Sequence, residues 1–199
     1  MLKARIKSKR LEAGCDEVGR GCLAGPVVAA AVILPPRFRH PFLKDSKQLT
    51  ERRRIEMGEL IKQKALAWSI AEVSPLKIDE INILNSSFLA MSIAIRNLEI
   101  EPELLLIDGN RFYSELEIPF ECIIKGDSKV GSIAAASILA KNYRDNLMKN
   151  LHHEFPFYAW DKNMGYPTKA HRRGIVEFGT TYLHRQSFQL LPKQDDLKL

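Results

Sequence analysis

Leu11 to Leu34 reads LEAGCDEVGRGCLAGPVVAAAVIL, and this stretch decides the fold. Its first part, Leu11 to Val18, has the look of a strand but carries two adjacent acids, Asp16 and Glu17, near its end. Gly19, Gly21 and the pair Gly25-Pro26 then mark a turn. Its last part, Val27 to Leu34, is a continuous apolar run with Val and Ile, stopped by Pro35-Pro36. Such a run predicts a second strand buried on both faces.

Outward from there the pattern alternates. Thr50 can cap a helix over Glu51 to about Lys64. Leu66 to Val73 suits a third strand. Ser74-Pro75 starts a short helix and then a longer one, reaching about Asn97. Glu103 to Asp108 reads as a buried strand ending in an acid, with a turn at Gly109-Asn110. Phe120 to Ile124 is a short strand, Val130 to about Leu151 the best helix, and Thr168 to Phe178 a later one. Three opening strands followed by helices alternating with two more strands predict an α/β fold. From about Leu151 no strand pattern returns, so residues 151–199 are expected to be a helical extension packed on the core, rich in His, Lys, Arg and aromatics. The 199 residues suit a single domain, 1–199, without repeats or low-complexity segments.

Composition narrows the class. Hydrophobic residues make up 45% and charged residues 27%, enough for a packed core. Lys plus Arg is 30 against 24 for Asp plus Glu, a net +6. That balance is compatible with nucleic acid as partner, since phosphate attracts Lys and Arg whatever the base sequence. The three cysteines, Cys15, Cys22 and Cys122, are odd in number, form no C-x-x-C and lie in apolar surroundings. They read as small hydrophobes in a reducing compartment. Basic residues from Lys3 to Arg10 precede an apolar stretch, as in a signal peptide, but Asp16, Glu17, Arg20 and Pro26 interrupt the pattern. The run Cys22 to Leu34 is too short to span a bilayer. A cytoplasmic protein with no membrane partner is expected.

Four acids stand where the flanking pattern asks for a hydrophobe or a cap. Asp16 and Glu17 sit in a buried-looking strand, Asp108 ends another, and Asp127 lies between Gly126 and the long helix. Asp127 is favourable at a helix N-terminus in its own right, and Asp108 before Gly109 also suits a turn. A buried carboxylate must be paired, protonated or bound to a metal. Clustered carboxylates without a Cys/His pattern suit hard cations such as Mg²⁺ or Mn²⁺. His152-His153, His171 and His184 lack the tight spacing of zinc sites and read as structural or phosphate-contacting. No P-loop and no G-x-S-x-G elbow occurs. Two cations about 4 Å apart could activate water and stabilise a leaving phosphodiester oxygen. Gly19-Arg20-Gly21, directly after two of the acids, allows main chain to approach a phosphate or hydroxyl. Asp45-Ser46-Lys47 before a helix is a plausible phosphate contact, and Tyr166 on the loop Gly165-Tyr166-Pro167-Thr168 could stack on a sugar or base.

Five blocks then stand in register with one family. DEVGRG (16–21) running into LAGPVVAAAVIL (23–34), DSKQLT (45–50), LLIDGN (105–110), KGDSKVGSIAAASILAK (125–141) and MGYPTKAH (164–171) resemble type 2 ribonuclease H, ribonuclease HII. The resemblance spans about Glu12 to Phe188. It implies the ribonuclease H fold: a five-stranded mixed sheet flanked by helices, with a helical C-terminal part. It implies that Asp16, Glu17, Asp108 and Asp127 bind two divalent ions, Asp16 and Asp108 shared by both and Glu17 and Asp127 holding one each. It also implies that Gly19, Arg20 and Gly21 read the ribonucleotide 2′-hydroxyl, that Tyr166 stacks on the neighbouring deoxyribose, and that Ser46 and Lys47 contact phosphate. The implied activity is endonucleolytic cleavage 5′ of a ribonucleotide, in RNA–DNA hybrid or at a single ribonucleotide in duplex DNA. It leaves a 3′-hydroxyl and a 5′-phosphate and serves ribonucleotide and primer removal, by a monomer.

The departures are Cys22 for the family's usual Pro, Ser128 for Ala, Asn142-Tyr143 for Val-Thr, and Gln186 for Arg. Arg20, with only about ten residues before the first strand, favours type 2 over type 3, which usually has a neutral residue there and an extra N-terminal domain. Rival readings are another nuclease or a resolvase on the same fold, a silent nucleic-acid-binding module, and a structural protein whose acids pair with its Lys and Arg. Metal-dependent cleavage separates the enzyme readings from the other two.

Overall fold

The computed structural model describes residues 1–6, 10–43, 46 and 49–192. Five strands, β1 (Glu12–Val18), β2 (Val27–Ile33), β3 (Ala67–Val73), β4 (Leu104–Asp108) and β5 (Phe120–Ile123), form one sheet in the order β3-β2-β1-β4-β5. The pairs β1–β2 and β2–β3 are antiparallel, while β1–β4 and β4–β5 are parallel, so the sheet is mixed. Among the described residues five α-helices accompany it: α1 (Glu51–Lys64), α2 (Pro75–Arg96), α3 (Gly131–Glu154), α4 (Trp160–Asn163) and α5 (Lys169–Phe178).

β2 is buried along its whole length, as its unbroken apolar run requires. Strand alternation divides the sheet into two faces. Ala13 and Cys15 of β1 and Leu105 and Ile107 of β4 pack with Met91, Ala94 and Ile95 of α2. On the other face Val28, Ala30 and Val32 pack with Met57 and Ile61 of α1 and the alanine run Ala134–Ala136 of α3. Gly14 lets α3 lie almost in van der Waals contact with β1: a Cβ there would stand 2.2 Å from the Ser132 carbonyl carbon. Asp16 is two residues on from Gly14, on the same face as α3, and that fixes where the acids gather.

The caps Thr50, Ser74 and Thr168 all accept a hydrogen bond from a first-turn amide. The expected pair of helices after Ser74 is one element broken at Asn82 (φ 66°), whose Oδ1 accepts from the amides of Leu84 and Asn85 and so caps the second piece. α2 is long and apolar enough to cross a bilayer, yet half of its apolar stretch is buried, against β2 and β3. After α3 the described chain is helical or irregular apart from a bridge of His184 to Ala24. Leu23, Ala24 and Met148 pack there with Tyr158, Trp160, Ile175 and Leu183. This cluster seats the Tyr166 loop against the turn that follows β1. Of the cysteines, Cys15 and Cys22 are buried, whereas Cys122 on the edge strand is only partly so.

Candidate active site

Parity and strand ends assemble the site. Asp16 on β1 points to the α3 side, paired in register with Ala30. Asp108 is the last residue of β4, and its Oδ1 accepts from the Gly126 amide at 2.6 Å. That bond draws the 3₁₀ turn Gly126–Ser128, with Asp127, beside the strand end. Glu17 follows Asp16 on the strand. One cavity of about 400 Å³ is lined by all four predicted acids together with Gly19, Arg20, Gly21, Ser46 and Tyr166. Of the ten predicted site residues, Lys47 lies outside the described residues.

The electrostatics are those of crowded carboxylates. Burial, with Glu17 and Asp108 nearby, pushes the Asp16 carboxyl well above its usual range, against hydrogen bonds from Ser137 and the Glu17 amide. Burial also raises Glu17, and Arg20, whose Nη1 lies 3.0 Å from its Oε1, opposes that rise. Acids that repel one another in a half-dry pocket favour a bound cation, and an all-oxygen donor set fits a hard divalent ion. The side chains are not yet closed on one point. Glu17 turns to Arg20, and among the described residues no three His, Cys, Asp or Glu groups stand close enough to hold an ion.

Two lining residues were not singled out from the sequence. Ser137 Oγ lies 3.0 Å from Ser46 Oγ, and Lys141 Nζ donates to Asp145 Oδ1 at 2.6 Å. Asp145 Oδ2 accepts from Arg54 at 2.7 Å. The signal was available, since Ser137, Lys141 and Asp145 are spaced by four and form one stripe of α3. A second cavity of about 260 Å³ adjoins the acids and adds Asn110 and Arg111 beyond Glu17, Arg20 and Asp108. Tyr166 faces the site across Gly21, where a Cβ would stand 4.0 Å from its Cε1. Tyr166 is 38% exposed, so it is not sealed in the core and remains reachable by a ligand.

A mixed five-stranded sheet that carries three carboxylates near the ends of two adjacent strands, with a fourth on the adjoining turn and a glycine turn beside them, defines a nuclease of the ribonuclease H fold. Solved structures share it. The PCNA:RNase HII complex from Archaeoglobus fulgidus matches with a TM-score of 0.76 at 27% identity, over 94% of this chain and 99% of that one. Bst-RNase HIII in complex with Mn²⁺ matches with a TM-score of 0.66 at 21% identity, over 90% and 67%. The sequence model of the ribonuclease HII family matches residues 13–191. Ribonuclease HII of Bacteroides thetaiotaomicron is 59% identical over 191 residues, 96% of each chain. The chain therefore belongs to the ribonuclease HII family. It is a metal-dependent endonuclease of the type 2 ribonuclease H class, acting on RNA–DNA hybrids.

Proposed function

We propose that this enzyme hydrolyses the phosphodiester on the 5′ side of a ribonucleotide, both in continuous RNA–DNA hybrid and at a single ribonucleotide embedded in duplex DNA. The observation that carries the reading is the convergence of Asp16, Glu17, Asp108 and Asp127 on one cavity that also holds the Gly19–Gly21 turn and Tyr166. Asp16 and Asp108 would bridge two divalent ions, Mg²⁺ or Mn²⁺, with Glu17 and Asp127 completing one each. Bound there, the ions supply a more acidic water and charge balance at the leaving oxygen. A Mn²⁺ complex of Bst-RNase HIII, on the same fold, agrees with this choice of ion.

The protein's own groups supply selection. Phosphate contacts cannot tell RNA from DNA; the 2′-hydroxyl can. The Gly19–Gly21 turn lines the cavity beside the acids, and its main chain can hydrogen-bond that hydroxyl. Tyr166 stacks on the next sugar, where an added hydroxyl crowds the ring. Ser46 and Lys47 hold flanking phosphate. The products are a 3′-hydroxyl and a 5′-phosphate, the role ribonucleotide and RNA-primer removal. The chain acts in the cytoplasm as a monomer built on one domain, 1–199, whose part from about 151 packs on the core.

The test uses two end-labelled duplexes, one with a single ribonucleotide and one a continuous hybrid, with and without Mg²⁺ or Mn²⁺. Cutting 5′ of the lone ribonucleotide, only with metal, is expected. Cleavage of hybrid alone would make this a hybrid-only enzyme.

A further inference from the structure

Arg144 and Arg185 are completely buried, and among the described residues neither has a carboxylate at ion-pairing distance. Both direct their guanidinium groups at main-chain carbonyls. Arg144 donates from Nε to Pro26 O at 3.0 Å, from Nη2 to Ala24 O at 3.0 Å and from Nη1 to Met164 O at 2.7 Å. Arg185 donates from Nε and Nη2 to Gly25 O at 3.0 and 2.8 Å, and from Nη1 to Arg20 O at 3.0 Å. The Arg144 group also lies directly under Gly19 (φ +95°), where a Cβ would stand 2.3 Å from its Nε. The Leu23 amide, donating to Gly165 O at 2.8 Å, closes the same seam. Thus the turn carrying Gly19–Gly21 and the loop carrying Tyr166 rest on one shared guanidinium.

We propose that Arg144, supported by Arg185, is a positioning residue: it sets the gap between the Gly19–Gly21 turn and Tyr166, and through that gap the preference for a ribonucleotide followed by a deoxyribonucleotide. The inference rests on the reading of that turn and Tyr166 as the recognition pair. Arginine suits the task because its rigid fork holds three carbonyls at fixed spacing, whereas lysine offers a point charge on a flexible stem. Removing charge-assisted bonds to carbonyls on both segments frees each to drift, and a fraction of an ångström matters to a stack and a hydrogen bond that must be made together. Arg144 touches no substrate in this scheme.

The experiment compares full-length wild type and Arg144→Lys. The ratio of kcat/KM on the single-ribonucleotide duplex to that on continuous hybrid should fall about tenfold, the scale of one lost charge-assisted bond. In a Tyr166→Ala background the same substitution should leave the ratio unchanged. Amide hydrogen exchange should quicken in residues 19–26 and 163–168 together. An unchanged ratio, an undiminished effect in the Tyr166→Ala background, or unaltered exchange in both segments overturns the proposal. If Arg144→Lys does not fold, Arg185→Lys replaces it, with a smaller drop in the ratio and faster exchange over 20–25 expected, and no change in either overturning it. A failure of the recognition reading shows elsewhere, as Tyr166→Ala leaving the ratio at the wild-type value, and the exchange result then still decides whether the clamp exists.

Discussion

The Nε2 atoms of His171 and His184 lie 3.2 Å apart in the buried cluster behind Tyr166, and their other partners fix both tautomers. His171 Nδ1 faces Tyr166 O at 3.0 Å, so it carries the proton. His171 Nε2 then accepts from Trp160 Nε1–H at 3.0 Å and from His184 Nε2–H. His184 Nδ1 accepts from the Thr181 amide at 3.0 Å. Both rings are neutral; a proton on His184 Nδ1 would face the Thr181 amide, and one on His171 Nε2 would face the Trp160 and His184 N–H groups, so either costs the bonds accepted there. Burial depresses both; for His184, with His171 adding to it, the value falls to about 4, and Arg172 adds to the depression of His171.

Acid should therefore destabilise this enzyme in a defined window. A histidine with a lowered folded pKa binds more protons when unfolded, so its contribution is full above about 6.5 and is lost as pH falls towards 4. The loss for His184 is on the order of 3 kcal/mol. Asp16 and Glu17, raised in the folded state, act in the opposite sense as they protonate. Urea denaturation at a series of pH values should show stability falling from pH 6.5 to 4, and less steeply in His184→Asn. Equal slopes in the two proteins would remove the histidine pair from the account.

Gly14→Ala addresses the seam that places the acids. The new Cβ would stand 2.2 Å from the Ser132 carbonyl carbon and 2.3 Å from the Ile133 amide nitrogen, main-chain atoms that cannot rotate away. α3 must lift from β1, and the expected loss is about 3 kcal/mol or more, at or beyond the usual range for overpacking. Chemical denaturation measures it directly. A variant within about 0.5 kcal/mol of wild type, the range of neutral surface changes, would show that the helix rides looser than described.

Asp145 carries two cations at once, Arg54 at 2.7 Å and Lys141 at 2.6 Å, with both the Asp145 and Arg54 side chains nearly buried. Asp145→Ala leaves Arg54 with Asn142 Oδ1 as its remaining side-chain partner. Stability should fall by about 3–5 kcal/mol, the cost of stranding a buried charge. The double variant Arg54→Met with Asp145→Leu should recover much of it, because the nearly buried guanidinium is then gone and the cation left over, Lys141, is the more exposed of the two. A single variant as stable as wild type would place this pair among those of little net worth.

The elements were legible because local signals agreed with tertiary demand. The unbroken run Val27 to Leu34 announced a strand covered on both sides, and Thr50, Ser74 and Thr168 marked helix starts that the structure keeps. Asp16 and Asp108 were legible as acids intruding on apolar strands. Other features depend on contacts distant in sequence. Nothing near Arg144 foretells that it reaches Ala24 and Met164, 120 and 20 residues away. The short helix α4 was missed because four residues, Trp160–Asn163, carry no period. Ser137 and Lys141 were overlooked for a different reason: their stripe was in view, but without the sheet it pointed nowhere.

Asp108→Asn separates the electrostatic role of the acids from their structural one. Its Oδ1 accepts the Gly126 amide, and an asparagine oxygen can do the same, so the turn holding Asp127 should stay in place. What is lost is one negative charge beside Asp16, whose carboxyl the Asp108 charge helps to raise. In chelator, relief of that repulsion should make the variant more stable than wild type, by roughly 2–4 °C in Tm per kcal/mol for a chain of this size. Added Mn²⁺ should raise the wild-type Tm through mass action and raise that of the variant less. Cleavage in Mg²⁺ should fall by orders of magnitude while duplex binding persists, since phosphate contacts lie with other residues. Near-normal cleavage by Asp108→Asn would remove Asp108 from the metal site, and an equal Mn²⁺ shift in both proteins would place the ion away from these acids.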